Sequence, residues 1–415
     1  MKTFLIFSKV LVFFLLVCSC CCAQKDKVGG DGFDELTNLV MNERWEEAIG
    51  VAKELLRQDS TNMQAKYYLG YCYNSIGEYF RAEPLLRTVL REDSNNLEAY
   101  NQLAYSLRNQ NKNKEALFFL KQLLDINPDF HKAIYHIGTV YLKLNQPDEA
   151  IKYFKRFSAL FPDNAECLFM LGLSSESKED MKKAKEFFLK AVNIDANYSD
   201  AYLELGHLEL LSGNFDKAVE YYSLASRSDP ENVDAFFALG CVFFRINKLQ
   251  KAKNAFFRVL ELDPKNISAL KQLVGVYIKS EQWSRAILVL KQLTKSDPDA
   301  PDVYYNLGFV SYMKGDRDVA YDYYDKTLKL DPDYIPAFMG LGIFYQDKGE
   351  WSLALKNYRK VLSALPNDSE AMFKIAQVYR MSQNKKAFMK MYKKLKSIDP
   401  QRASFFDSND AQQAK

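Results

Sequence analysis

Histidine is nearly missing from this chain. There are 3 in 415 residues, His131, His136 and His207, and they stand in no HExxH pattern and no recurring cluster with carboxylates. Metal catalysis is therefore not expected, and no metal or cofactor is implied. Cysteine is scarce beyond the N-terminus: Cys18, Cys20, Cys21 and Cys22 crowd together, after which only Cys72, Cys167 and Cys241 occur, with no CxxC pair. Three separated thiols make neither a disulfide framework nor a zinc site, and they are expected to be small buried apolar residues. An excess of charge is lacking as well, since 56 basic against 53 acidic residues leave a formal +3. A near-neutral chain has no global electrostatic reason to seek nucleic acid.

What is present begins with a leader. Lys2 and Lys9 precede an eight-residue apolar run, Val10 to Val17, and small residues follow. The run is far shorter than the roughly 20 residues that span a bilayer, so residues 1–23 are expected to be a signal peptide and the protein to be exported. Two ends are open. "VCSC", residues 17–20, resembles the bacterial lipoprotein box, which would put a lipid on Cys20 and tether the protein to a membrane of the cell envelope. Alternatively "CCA" precedes a cleavage at Gln24 and yields a soluble, secreted product. Residues 24–32, "QKDKVGGDG", are expected to be a flexible tether, and residues 403–415 a polar C-terminal tail.

Between them lies a period of thirty-four. Units starting at 29, 63, 97, 131, 165, 199, 233, 267, 301, 335 and 369 run to residue 402 without an insertion. Position 8 of the unit is Gly70, Gly138, Gly172, Gly206, Gly240, Gly308 and Gly342; position 20 is alanine in every unit from Ala48 to Ala354 and Phe388 in the last; position 32 is proline in most, as in Pro128, Pro264 and Pro400. Positions 4, 7, 8 and 11 make one helical stripe and positions 20, 24 and 27 a second, so each unit predicts two helices. Small residues at 8 and 20 let the two axes approach, and the proline ends the second helix. One such hairpin cannot bury its stripe alone, whereas stacked neighbours build a continuous core. Pro84, inside a second helix, is expected to kink it.

With this period and these landmarks the chain resembles the tetratricopeptide repeat family across residues 29–402. The resemblance implies an all-α solenoid of about eleven helix-turn-helix repeats, a right-handed superhelix whose concave groove is lined by positions 2, 5, 9, 12 and 13 of each unit. On those positions stand Tyr67, Tyr71, Tyr105, Tyr135, Phe169, His207, Phe237, Phe244, Tyr305, Phe309, Tyr312 and Phe373. Each aromatic ring can bury about 150–250 Å², so an exposed stripe of them would call for a covering partner. The alternative is that the rings pack against the neighbouring unit's second helix.

Aromatic walls with few charges suit an apolar segment of a protein or peptide partner. The family's clamp for acidic C-terminal tails is absent, because Lys271 is followed by Gly275 where that clamp has Asn. Glycan binding would favour tryptophan platforms, yet Trp45, Trp283 and Trp351 all fall at position 17, at the start of the second helix. Lys385, Lys386, Lys390, Lys393, Lys394 and Lys396 make the last unit basic, which is the pattern of a solvated terminal face. "NYS", "NIS" and "NDS" at Asn197, Asn266 and Asn367 match glycosylation sequons, but in the turns between units Asn is an ordinary turn former. The expectation is a non-enzymatic protein- or peptide-binding scaffold, with a carrier or chaperone for exported proteins, or a glycan-binding envelope module, as alternatives.

Overall fold

The computed structural model describes residues 30–413, and side chains from 32 to 407. The leader, Cys20 and the first part of the expected tether lie outside the described residues, among which there are 23 helices and no strand. None of those helices is long and apolar enough to cross a membrane.

The helices keep the register of the repeat. Met63–Ser75, Leu97–Asn109, His131–Lys143 and Val233–Arg245 begin at the first position of their units, and Tyr79–Glu92, Asn113–Ile126, Pro147–Leu160 and Leu249–Leu262 all begin at position 17. Local chemistry sets these boundaries. The residue before the first helix is often Asn or Asp, whose side chain accepts from the backbone N–H three residues on, as at Asn62, Asn96, Asn164, Asn232, Asn266 and Asp368. Position 31 carries Asp59, Asp93, Asp195 or Asp263, whose Oδ1 accepts from the N–H two residues later and turns the chain out of the second helix. Position 15, between the two helices, has positive φ in every unit, and only Gly77, Gly213, Gly315 and Gly349 meet it with glycine. Glu43, Glu179, Glu281 and Gln383 hold the same left-handed conformation with a side chain attached.

Packing within a repeat turns on one contact. A Cβ added to Gly138, Gly172 or Gly240 would stand 2.6, 2.3 or 2.4 Å from the ring of Phe154, Phe188 or Phe256, and one on Gly308 or Gly342 would meet Tyr324 or Tyr358 in the same way. Glycine at position 8 is thus the hollow for the ring at position 24. Where position 8 is larger, position 24 is smaller in three units, Ala104 with Leu120, Val274 with Leu290 and Leu36 with Ala52, whereas Ala376 stands with Tyr392 and Gly70 faces Leu86. The buried stripe of the first helix is also shifted from expectation. Positions 3, 7 and 10, such as Ala235, Leu239 and Val242, are buried in every unit after the first, while Phe236 and Phe243 at positions 4 and 11 are only half-buried. Alanine at position 3 presses on the neighbouring helix as closely as the alanine at 20 does, and both are sealed from solvent.

The chain divides into two compact units, Met1–Leu208 and Glu209–Lys415. Inside each, a helix packs on its neighbours in sequence, and first helices of successive repeats also meet, as Leu97–Asn109 meets His131–Lys143 and Val233–Arg245 meets Ile267–Lys279. Successive second helices touch less or not at all. A stack that is tighter along one side curves towards it, so the first helices line the inner side of each unit.

Three expectations need correction. Residues 403–413 are no tail but belong to the helix Pro400–Gln413, whose Ala403 and Phe406 are buried against Met372, Ala376 and Leu395. Residues 30–32 are no tether, because the helix Gly30–Met41 already includes them. Third, the last unit's basic second helix, Lys385–Ile398, is not purely a solvated face, since Leu395 is buried and Phe388, Met391 and Tyr392 pack against the last helix's cluster. Pro84 lies inside the continuous helix Tyr79–Glu92, where the carbonyl its missing N–H leaves open belongs to Phe80, a residue 77% exposed.

Candidate functional site

Position 5 of the first helix faces inward and sideways at once. Tyr135, Phe169, Phe237 and Tyr305 lean on the position-24 rings of their own repeats, Phe154, Phe188, Phe256 and Tyr324, at centroid distances of 5.6, 5.5, 5.8 and 5.9 Å. The covering helix is therefore the second helix of the same repeat, not of the neighbouring one. Position 9 behaves otherwise: Tyr71 meets Trp45 at 6.0 Å and Tyr105 meets Tyr79 at 6.1 Å, both from the preceding repeat's second helix. Position 17, and with it Trp45, thus borders the groove positions and does not lie away from them.

All twelve residues singled out from the sequence are half-buried. Tyr67, Tyr71, Tyr105, Tyr135, Phe169 and His207 belong to the first unit, and Phe237, Phe244, Tyr305, Phe309, Tyr312 and Phe373 to the second. Each is partly covered and partly open to solvent, so packing and exposure coexist. Tyr67 and Tyr71 lie 6.4 Å apart as a pair, Phe244 lies over Gly275 of the next repeat beneath the ammonium of Lys279, and Phe373 is flanked by Phe405 and Phe406 of the last helix. His207 Nδ1 is 3.1 Å from Glu204 Oε2.

The tyrosines add polar handles. Tyr135 donates to Glu166 Oε1 at 2.7 Å and Tyr312 to Asp347 Oδ2 at 2.6 Å. Burial and then the neighbouring carboxylates hold these phenols far above any physiological pH, with Tyr312 pushed up to about 12. They are fixed donors. The three cysteines among the described residues are poor nucleophiles: Cys72 and Cys167 are buried, burial pushes each thiol to about 12, and Cys241 is half-buried at about 11. Among the described residues no group of three or more His, Cys, Asp or Glu is placed to hold a metal ion.

A polar set on the inner side escaped the sequence reading, which followed aromatics only. Asn74 is buried at position 12, its amide donating to the Gln102 carbonyl and side chain, and Asn101 is buried at position 5. Arg108, also at position 12, reaches across to Thr139 and His136 of the next repeat. Reading every residue type at positions 5, 9 and 12 would have found them.

Sequence profiles described as tetratricopeptide repeat match residues 107–171, 165–198, 203–267, 247–307, 301–334 and 369–402, more than half of the chain. The chain is a tetratricopeptide repeat protein. A profile described as anaphase-promoting complex, cyclosome, subunit 3 matches residues 41–123 of it. No curated protein matches this repeat protein. Among solved structures it is similar to yeast Tom70, at 16% identity and a TM-score of 0.40, over 94% of this chain and 97% of that one. It is similar also to PilF of Pseudomonas aeruginosa, at 21% and 0.43, over 51% and 97%, and to MamA of Desulfovibrio magneticus, at 22% and 0.38, over 41% and 96%. Likenesses at this level say nothing of a partner. As a tetratricopeptide repeat protein, the chain has the build of a protein–protein interaction scaffold.

Proposed function

We propose that this protein is a non-enzymatic scaffold that holds apolar segments of partner proteins on the inner side of its first helices, and that it works outside the cytoplasm, tethered to a bacterial envelope membrane by a lipid on Cys20. The observation that carries the binding half is the strip itself, twelve side chains each partly covered by packing and partly open to solvent. A ring held in one orientation has already lost its rotamer freedom, so a partner that covers it gains contact area at small entropic cost. Tyr135 and Tyr312, whose hydroxyl protons are already given to Glu166 and Asp347, offer the segment oxygen lone pairs that accept from its polar groups. The location half rests on the leader residues, Lys2, Lys9, Val10 to Val17 and "VCSC".

The binding half is tested by capturing cross-linked partners from the native cells with the wild type and with a Tyr71→Lys, Phe309→Lys variant of unchanged helical content. Partners lost from the folded variant support the proposal; an identical partner set from both overturns it. For the location, a mature N-terminus found to be unmodified Gln24 refutes the lipid.

A further inference from the structure

On the inner side of the first unit the guanidinium of Arg108 has no ion-pair partner among the described residues. Arg108 stands in the last turn of Leu97–Asn109 and crosses to His131–Lys143, where Nη1 donates to Thr139 Oγ1 at 2.9 Å and lies 3.4 Å from His136 Nδ1. The guanidinium carbon Cζ lies over the Tyr105 ring, 5.1 Å from its centre. Nε is sealed from solvent and has no hydrogen-bond partner. Nη2, on the same edge of the guanidinium as the Nε hydrogen, has none among the described residues either. Of the two donors on that edge Nη2 is the one an incoming carboxylate can reach, since Nε is closed to solvent, while the opposite side is held in place.

The surroundings fit one added negative charge. Thr139 supplies a hydroxyl, and His136 is held uncharged by burial and by Arg108, its value pushed down to about 3. Glu166, the nearby acid, is engaged by the Tyr135 hydroxyl and makes no ion pair with Arg108. Lys132 is paired with Glu98, and Lys143 adds a second positive charge close by. A guanidinium that has left water without an anion is costly, and the cost is removed when a carboxylate arrives.

We propose that Arg108, through its Nη2 and with Thr139 and Tyr105 around it, is the subsite that receives an Asp or Glu side chain of the bound segment. Strip residues lie on both sides of the subsite along the unit, Tyr67 and Tyr71 before it and Phe169 after it. A segment that covers them passes through the subsite and does not end there, which assigns the carboxylate to a side chain and not to a chain terminus. This rests on the peptide-binding reading given above.

The test uses the full chain and three peptide pools of nine apolar residues with one fixed centre: acetylated, amidated pools with Glu or with Gln at the centre, and a Gln pool with a free C-terminus. Fluorescence polarisation with the wild type is expected to show the Glu pool at least about tenfold tighter than the Gln pool, the size of a charge-assisted pair. Arg108→Gln and Arg108→Lys, the latter keeping the charge and losing the planar Nη2 donor, are expected to erase most of that preference, read as the ratio of Glu-pool to Gln-pool affinity within each variant. Equal binding of Glu and Gln pools to the wild type overturns this proposal and leaves the scaffold reading standing. So does a preference for the free C-terminus, which moves the carboxylate to the chain end. Saturable binding of none of the pools contradicts both. As a control on a purely structural role, Arg108→Met is expected to keep or raise the melting temperature; a fall of several degrees would show that Arg108 is there for the fold, and would also overturn the proposal.

Discussion

At the scale of the residue, glycine at position 8 and the ring at position 24 are one decision. Gly240→Ala would place a Cβ 2.4 Å from Phe256, and the ring has no free space to retreat into because it is itself fully buried. Overpacking of this kind is expected to cost about 1–3 kcal/mol. Phe256→Leu in the same chain is expected to recover most of it, since Ala104 with Leu120 already uses that pairing. Denaturation midpoints of the two single variants and the double variant measure the coupling. His136 offers a second check. Its folded value, about 3, lies below the ordinary imidazole value, so the unfolded chain takes up the proton first as pH falls. The stability it contributes is whole above about pH 6.5 and is lost as the pH drops towards 3. Between pH 7 and pH 5 the wild type is expected to lose about 1–2 kcal/mol more than His136→Gln does, read from urea midpoints at both pH values.

At the scale of the element, the turn inside each hairpin is held by a left-handed residue at position 15, and the chain meets that demand unevenly. Glu179 and Glu281, at φ 62° and 55°, carry a Cβ where the conformation suits glycine. Glu281→Gly is expected to raise stability by about 0.5–1 kcal/mol, a gain visible as a higher denaturation midpoint, whereas Gly315→Glu is expected to lower it by a similar amount. The last helix, Pro400–Gln413, is a lid on the apolar end of the stack. Removing residues 400–415 bares Met372 and Leu395, which Phe406 covers, and amide exchange in Lys385–Ile398 is expected to quicken by about tenfold or more with no change in Met63–Ser75.

Much of this was legible because the repeat keeps one register. Unit starts, hairpin boundaries and the small residue at position 8 follow from spacing alone, for a helix pair packs the same way each time it recurs. The terminal helix was not legible, since it departs from the thirty-four-residue pattern and shows only Ala403 and Phe406 as a buried pair in a polar stretch. Position 3 was missed for a related reason: alanine is too common to stand out until its burial is seen. The strip residues were named from the family's groove positions and from their aromatic character. That rule passed over Arg108, Asn74 and Asn101, whose importance lies in unmet hydrogen bonds across two repeats, which no periodicity reports.

At the scale of the molecule, the account holds that each unit is a stack of hairpins whose first helices present half-covered side chains to a partner. Buried residues explain the fold and outer faces are free to vary, so the inner strip is where function is expected to sit. The most direct measurement is site-specific photo-cross-linking in the native cells, with a benzophenone amino acid placed in turn at Tyr71 and Phe309 on the strip and at Phe118 and Leu288, exposed on second helices. Adducts to protein partners from the two strip positions, with few or none from the outer pair, are the predicted result. Adducts confined to the outer positions would contradict the account and move the binding surface to the second helices.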